Sequence, residues 1–402
     1  MNSVGIDVSK GKSMIAVMRP FGEVVVSPFE VHHTDSELCE LAKLLRSLPG
    51  ETRVVMEATG NYHLPVAWLL NDSGFYVSVV NAMLVHDYGN NSLRRAKTDK
   101  KDAIKLANYG LDHWLTLPRY VPEEDTRLML KNCYRQYQQY SKVQTMLKNN
   151  LISLLDTAFP DVNRLFSSPP RTDGSEKWID FVASIWHCEC VCGSSEKSFV
   201  AKYQKWCKKH GYNFSEDKAL DIYASACGHL GVMPKMDTAK LLVEQAVSQL
   251  RATSAALAAL KQEMHSLAAS LPEYPVVMKM FGVGPALGPQ LMAEIGDVRR
   301  FHSKKALVAF AGIDAPPYQS GQMDVYSRSI SKRGSSSLRR TLFLVMGVYL
   351  QSSPADEPVY QFMDKKRSEG KPYKVYMMAS ANKFLRIYYA TVKAYLDSLD
   401  EA

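Results

Sequence analysis

The sequence predicts a mixed chain: an α/β domain at the N-terminus, followed by regions that are mainly α-helical. Three observations predict it. Residues 4–8, 13–18 and 23–27 are short apolar or β-branched runs separated by turn residues. After them, helical and strand-like spacing alternate up to about residue 80. Further on, two long stretches repeat apolar residues at steps of three and four, the pattern of a packing helix. At 402 residues the chain is too long for one ordinary core, so two or three domains are expected.

The first three runs are joined through Lys10-Gly11-Lys12 and Pro20-Phe21-Gly22, which reads as three hairpin-connected strands. A helix is expected over Asp35–Leu45, a buried strand over Arg53–Met56, a helix over His63–Leu70 and a strand over Phe75–Val80, with a helix after it. This β-β-β-α-β-α-β succession is that of an RNase H-like sheet and gives residues 1–120. Leu130, Cys133, Tyr137, Tyr140, Gln144, Leu147, Leu151 and Leu154 form one heptad seam with a polar interruption. Val243, Ala246, Leu250, Thr253, Leu257, Leu260, Met264 and Leu267 form a second, behind a candidate N-cap at Asp237. The two could pair as an antiparallel hairpin or between subunits. Between them, a turn-rich start at Ser167-Ser168-Pro169-Pro170 opens a segment of about 160–236 that reads as an inserted subdomain within a coiled-coil region, 121–270. Residues 271–402 form the remaining, mostly helical domain; Met377, Met378, Phe384, Leu385, Ile387, Tyr388 and Val392 mark the core side of its last helix.

Lysine and arginine number 49 against 41 acidic residues, a net charge of +8 that favours polyanionic partners only where it is clustered. The N-terminus enters a strand directly, with no signal-type leader, and no apolar run is long enough to span a bilayer, so a soluble cytoplasmic protein without a membrane partner is expected. Seven cysteines argue against a fully paired disulfide framework and fit a reducing compartment.

Four carboxylates stand out. Asp7 lies between Ile6 and Val8, pointing opposite to its apolar neighbours. Glu57 ends the strand Val54-Val55-Met56, where ligands of open α/β sheets gather. Asp99 and Asp102, three apart, share one helix face. Singly they read as a turn-proximal strand residue, a helix cap and solvated helix charges. Together, in this strand order, they favour a metal site. Four such groups converging without a counter-ion would repel, each pair at about 4 Å by roughly 4 kcal/mol at an effective dielectric of 20, so protonation or bound cations must relieve them. Hard oxygen donors suit Mg²⁺ or Mn²⁺, and two such ions serve phosphodiester cleavage. Beside them Arg94, Arg95, Lys97, Lys100 and Lys101 could hold a phosphate backbone.

In the C-terminal region, Gly282-Val283-Gly284-Pro285 leading into Leu287 and Leu291 resembles a helix-hairpin-helix element, whose turn and helix start present N–H groups to a phosphate. By itself a glycine turn is also an ordinary tight connection. Arg328, Lys332, Arg333, Arg339 and Arg340 follow, and Lys365, Lys366, Arg367, Lys371 and Lys374 come later. Ser320, next to Gly321 and among these cations, could attack a phosphodiester and form a phosphoserine link to DNA. Many serines follow it, from Ser327 to Ser353, and the residues alone do not select among them.

Taken in order, Gly5-Ile6-Asp7-Val8-Ser9-Lys10, Glu57-Ala58-Thr59-Gly60-Asn61-Tyr62, Lys97-Thr98-Asp99-Lys100-Lys101-Asp102-Ala103, Gly282-Val283-Gly284, Phe310-Ala311-Gly312, Tyr318-Gln319-Ser320-Gly321, Ser331-Lys332-Arg333-Gly334 and Leu338-Arg339-Arg340 resemble the insertion-sequence transposases related to the Piv invertase, the bridge-RNA-guided recombinases. The resemblance runs over nearly the whole chain. It implies a RuvC-like domain in which Asp7, Glu57, Asp99 and Asp102 form a DEDD metal site, and a C-terminal transposase domain in which Ser320 attacks the strand. It further implies donor and target DNA, a structured guide RNA, a dimer or tetramer with a shared active site, and a prokaryotic, nucleoid-associated setting.

The 160–236 segment departs from that pattern. Its His187, Cys188, Cys190, Cys192, Cys207, His210, Cys227 and His229 could supply zinc ligands, although Cys-x-Cys-x-Cys is not the usual ligand spacing and buried cysteines are common in cores. Three other readings compete: a structure-selective nuclease using water, an actin-like-fold sugar kinase that also opens Gly-Ile-Asp, and a non-catalytic nucleic-acid binder. A kinase would need a second phosphate loop where this chain has heptad helices and basic clusters.

Overall fold

The computed structural model describes residues 1–88, 98–315, 319–320, 323–324 and 329–401. It divides into two units, Met1–Glu123 and Glu124–Ala402. Arg94, Arg95, Lys97 and Arg328 lie outside the described residues.

The first unit is an α/β domain of RNase H-like topology. It contains β1 (Asn2–Ser9), β2 (Lys12–Arg19), β3 (Glu23–His32), α1 (Asp35–Ser47), β4 (Thr52–Glu57), α2 (Leu64–Asp72), β5 (Tyr76–Val80), α3 (Ala82–Asp87) and α4 (Asp99–Asp112). The sheet order is β3-β2-β1-β4-β5. β1, β2 and β3 pair antiparallel through tight turns, whereas β1, β4 and β5 run parallel. β1 to β4 extend one to five residues beyond the sequence reading at one or both ends, because backbone pairing carries on past the apolar runs, whereas β5 starts one residue later than expected, at Tyr76. Period-two alternation sorts the two faces. Val4, Ile6, Val54, Met56 and Val77 pack with Leu38, Leu41, Val66 and Leu70 of α1 and α2. Val55 and Val80 pack on the other face with Val85, Leu106 and Tyr109 of α3 and α4.

The second unit is helical apart from a two-stranded ladder. α5 (Asp125–Ala158) and α10 (Asp237–Ala269) are its long helices. They form an antiparallel hairpin within one chain: Leu130 and Tyr134 share a core with Met264 and Ala268, while Leu151 and Leu155 share one with Val243 and Leu250. The buried seam of α10 runs through Ser254 rather than Thr253, and Gln144 donates to the Ser254 hydroxyl at 2.9 Å. The N-cap of α10 is Met236, with Asp237 as first helical residue, so the expected side-chain cap is not made; the carboxylate still favours the positive end of the helix.

At the hairpin tip, α6 (Lys177–Ser184), α7 (Glu189–Cys192), α8 (Glu196–His210) and α9 (Glu216–Gly228) enclose an aromatic core of Phe181, Phe199, Tyr203 and Trp206. At the other end come α11 (Tyr274–Lys279), α12 (Gly284–Ile295), α13 (Lys304–Ala311), β6 (Gln319–Ser320), β7 (Met323–Asp324), α14 (Ser336–Ser352), α15 (Pro358–Ser368) and α16 (Tyr373–Asp400). Met377, Phe384, Leu385, Tyr388 and Val392 of α16 are buried there, as the spacing predicts. Arg127 and Glu273, 6% and 1% exposed, form a two-pronged ion pair between α5 and the residue before α11. No helix of the described residues is long and apolar enough to cross a membrane.

Candidate active site

Backbone register aligns the first two carboxylates. β1 and β4 are parallel with Gly5 beside Val55 and Ile6 beside Met56, so Asp7 and Glu57 are the next residues of adjacent strands at the same, carboxyl, edge. Both are half-buried. Their face is the one that α4 covers. A Cβ on Gly5 would lie 2.0 Å from the Ala103 carbonyl oxygen and 2.3 Å from the Ala107 nitrogen, and one on Gly110 would lie 2.3 Å from Ser3 Oγ. The helix therefore runs antiparallel to β1 in near-backbone contact, and its first turn, with Asp99 and Asp102, lies toward the strand end that carries Asp7. Sequence reading passed over Gly5, Ala103, Ala107 and Gly110; small residues at two-residue strand spacing and three- to four-residue helix spacing were the available signal.

Ordinary roles account for some of these groups. Thr98 caps α4 by accepting from Lys101 N at 3.4 Å, and acidic residues in a first helical turn are stabilised by the helix dipole. Glu57 is not a helix cap: it closes β4, and α2 starts later behind His63. Between β2 and β3, Lys12 hydrogen-bonds Glu30 at 2.7 Å; that bond and the charges of Glu30 and then Asp99 hold its ammonium above the usual lysine range. Asp7 and Glu57 each have interaction partners. Among the described residues no three or more carboxylates, histidines or cysteines group closely enough to hold a metal ion. The cysteines and histidines of the 160–236 segment likewise form no such group among the described residues. Within it, the His187 ring bonds Met233 O at 2.8 Å and accepts from Glu189 N at 3.1 Å, and His210 stacks on Trp206.

The C-terminal motifs interlock. Gly312 ends α13 with φ +64°, and a Cβ there would lie 2.6 Å from Arg339 Nη1; one on Gly334 would lie 2.2 Å from the Phe310 oxygen. Lys332, at φ +54°, donates its N–H to Gly312 O at 3.0 Å, and Ser335 N donates to Phe310 O at 2.7 Å. Arg339 donates to Ala311 O at 2.9 Å and Gly334 O at 3.1 Å. The Phe310–Gly312 and Ser331–Gly334 motifs thus form a clasp at the two ends of the segment that contains Ser320. Ser320 itself sits on β6 opposite Met323 of β7. Lys332, Arg333 and Arg340 are exposed, as are Lys100 and Lys101 in the first unit. Gly282 and Gly284, at φ +76° and +53°, make the turn between α11 and α12.

Beneath the clasp is a polar network the sequence did not disclose. Buried Glu294 accepts from Ser335 Oγ at 2.6 Å and pairs with Arg135 at 2.9 Å. Ser337 donates to Gln138 at 2.9 Å, and Thr341 shares a hydrogen bond with Tyr134 at 2.7 Å. These bonds tie the start of α14 to α5 and α12.

A transposase model of the DEDD IS110 type matches residues 4–160, and the "Transposase IS116/IS110/IS902 family" model matches 274–361. The pilin gene-inverting proteins of Moraxella bovis and Moraxella lacunata are each 23% identical over 343 residues, covering 85% of this chain and 80% of theirs. A putative transposase of Sinorhizobium fredii is 31% identical over 83 residues, covering 21% of this chain and 20% of that protein. The structure of T. thermophilus RuvC in complex with a Holliday junction substrate is 14% identical, covering 30% of this chain and 99% of that one at a TM-score of 0.23. The protein is thus an enzyme of DNA recombination, a transposase or DNA invertase acting on DNA. It carries transposase domains of the IS110 family at residues 4–160 and 274–361 and is homologous to the pilin gene-inverting proteins.

Proposed function

We propose that the enzyme cuts and rejoins donor and target DNA with a carboxylate metal site and a serine nucleophile, guided by a structured RNA, as a homo-oligomer. Residues 1–120 supply Asp7, Glu57, Asp99 and Asp102; 121–270 are the coiled-coil region with its inserted subdomain; 271–402 supply Ser320 and a second group of cations. The main support is the β1–β4 register, which sets Asp7 beside Glu57 on the face where α4 brings its first-turn acids.

The donor set is all oxygen, which fits Mg²⁺ or Mn²⁺. Two such ions, when bound, would ease deprotonation of an attacking oxygen and stabilise a leaving one. The chain's own residues do the remainder. Lys100 and Lys101, with Arg94, Arg95 and Lys97, bind phosphates beside the acids, and the α11–α12 turn at Gly282 and Gly284 offers N–H groups to a backbone. The Ser320 hydroxyl attacks a phosphorus, loses its proton and leaves the strand joined to protein while a 3′ hydroxyl departs. Lys332, Arg333 and Arg340 are assigned to the DNA side of that domain, with Arg328; Arg339, expected there as well, is engaged by the Ala311 and Gly334 carbonyls.

A nicked suicide DNA substrate tests the reading. Wild-type protein should become covalently attached to DNA, Ser320→Ala should not, and free ends cut normally by Ser320→Ala would mean a hydrolytic nuclease. Purification from the native host should yield one reproducible short RNA; bulk cellular RNA alone would remove the guide from the proposal.

A further inference from the structure

The inserted subdomain holds two thiols in contact. Cys192, at the end of α7, and Cys227, in the last turn of α9, lie with their sulfurs 3.0 Å apart, the Cys227 thiol donating. They are 35 residues apart in sequence, and α8 lies between them. One turn before Cys227, the Tyr223 hydroxyl donates to the Ser194 carbonyl at 3.1 Å, so α9 is already fastened beside α7 at this point. Sulfurs brought this close by two fastened helices need little movement to reach bonding distance.

We infer that Cys192 and Cys227 form a thiol–disulfide modification site, closed by a low-molecular-weight disulfide such as oxidised glutathione. The exposed Cys227 reacts first: its thiolate attacks one glutathione sulfur, forms a mixed disulfide and releases one glutathione thiolate. The Cys192 thiolate then attacks the Cys227 sulfur and expels the second glutathione. The sum is two protein thiols plus one glutathione disulfide giving one protein disulfide and two glutathione thiols. Burial, with the Cys227 hydrogen bond behind it, pushes the Cys192 thiol up to about 12, which makes Cys192 the resolving rather than the first-attacking thiol and makes closure faster as pH rises. The other thiols of the segment are placed differently: Cys188 and Cys207 are buried. Closure would lock α8, whose Lys197, Lys202, Lys205, Lys208 and Lys209 are exposed, into a covalent ring with α7 and α9.

The test uses full-length protein equilibrated in glutathione redox buffers, quenched with acid and digested without reduction. The tryptic peptides 178–197 and 219–235 should be joined through Cys192 and Cys227, and the intact mass should fall by two hydrogens. The bond should form on the order of 10-fold or more faster than any other pairing in the segment, because its partners are preplaced. Cys190→Ser should leave it unchanged, and Cys192→Ser should stop at a stable mixed disulfide on Cys227. A mixed disulfide on Cys227 that wild-type protein never resolves, or a link from Cys227 to Cys188 or Cys190, would overturn the assignment.

Discussion

The two edges that carry the candidate chemistry are built by different means. In the N-terminal unit the main chain does the placing: parallel register sets Asp7 beside Glu57, and a Cβ-free contact at Gly5 draws α4 onto the same face. In the C-terminal unit, Ser320 lies between two short motifs held by glycine contacts and by the Arg339 side chain. The sheet edge therefore depends on a side chain being absent at Gly5, while the clasp depends on the Arg339 side chain being present.

The largest effect should come from removing charge without shape. Asp7→Asn or Glu57→Gln should lower DNA cleavage on the order of 10³-fold, several kcal/mol of barrier, while circular dichroism and melting stay near wild type. Strand register needs no carboxylate, so folded but active variants would sink the metal-site proposal.

Gly5→Val should come next. The atoms it meets are backbone atoms of α4, which cannot rotate away, so about 1–3 kcal/mol of overpacking is expected, with a thermal midpoint lowered by several degrees and cleavage lost with it. Unchanged melting would mean that α4 does not hold to β1 as closely as described.

A pair of neighbouring arginines separates clasp from DNA surface. Arg339 bonds two main-chain carbonyls, so Arg339→Ala should cost about 1–3 kcal/mol of stability. Arg340 is exposed; Arg340→Ala should change stability by less than about 0.5 kcal/mol but reduce the salt dependence of DNA binding by about one phosphate contact. Equal melting points for the two variants, with equal salt slopes, would erase the distinction.

This contrast also explains what was legible in the sequence. The sheet could be read because strand and helix periods are short-range properties, and Asp7 broke the apolar pattern visibly. The heptad seams were legible for the same reason, although the buried rows shift by one residue at places, to Tyr134 from Cys133 and Leu155 from Leu154 in α5, and to Ser254 from Thr253 and Ala268 from Leu267 in α10. Ser320 was not selectable from local chemistry among so many serines and came only through resemblance. The Arg135–Glu294–Ser335 network was hidden because its members come from α5, α12 and the cap of α14, which only tertiary packing brings together.

The smallest predicted effect concerns the hairpin between those regions. Gln144 and Ser254 meet in a seam that is otherwise largely apolar, with Ser254 only 4% exposed. Ser254→Ala should cost about 1 kcal/mol, since it leaves the Gln144 amide without this partner, and Gln144→Leu should cost a similar amount by stranding the hydroxyl. Replacing both removes donor and acceptor together, so the double variant should be less destabilised than the sum, with a coupling of about 0.5–1.5 kcal/mol. A polar pair inside a heptad seam also penalises slipped pairings, in which each partner would face apolar side chains. The double variant should therefore lose only about 0.5–1.5 kcal/mol of stability but lose amide-exchange protection selectively along the middle of α5 and α10. Additive losses with uniform protection would show that apolar packing alone sets the register of this hairpin.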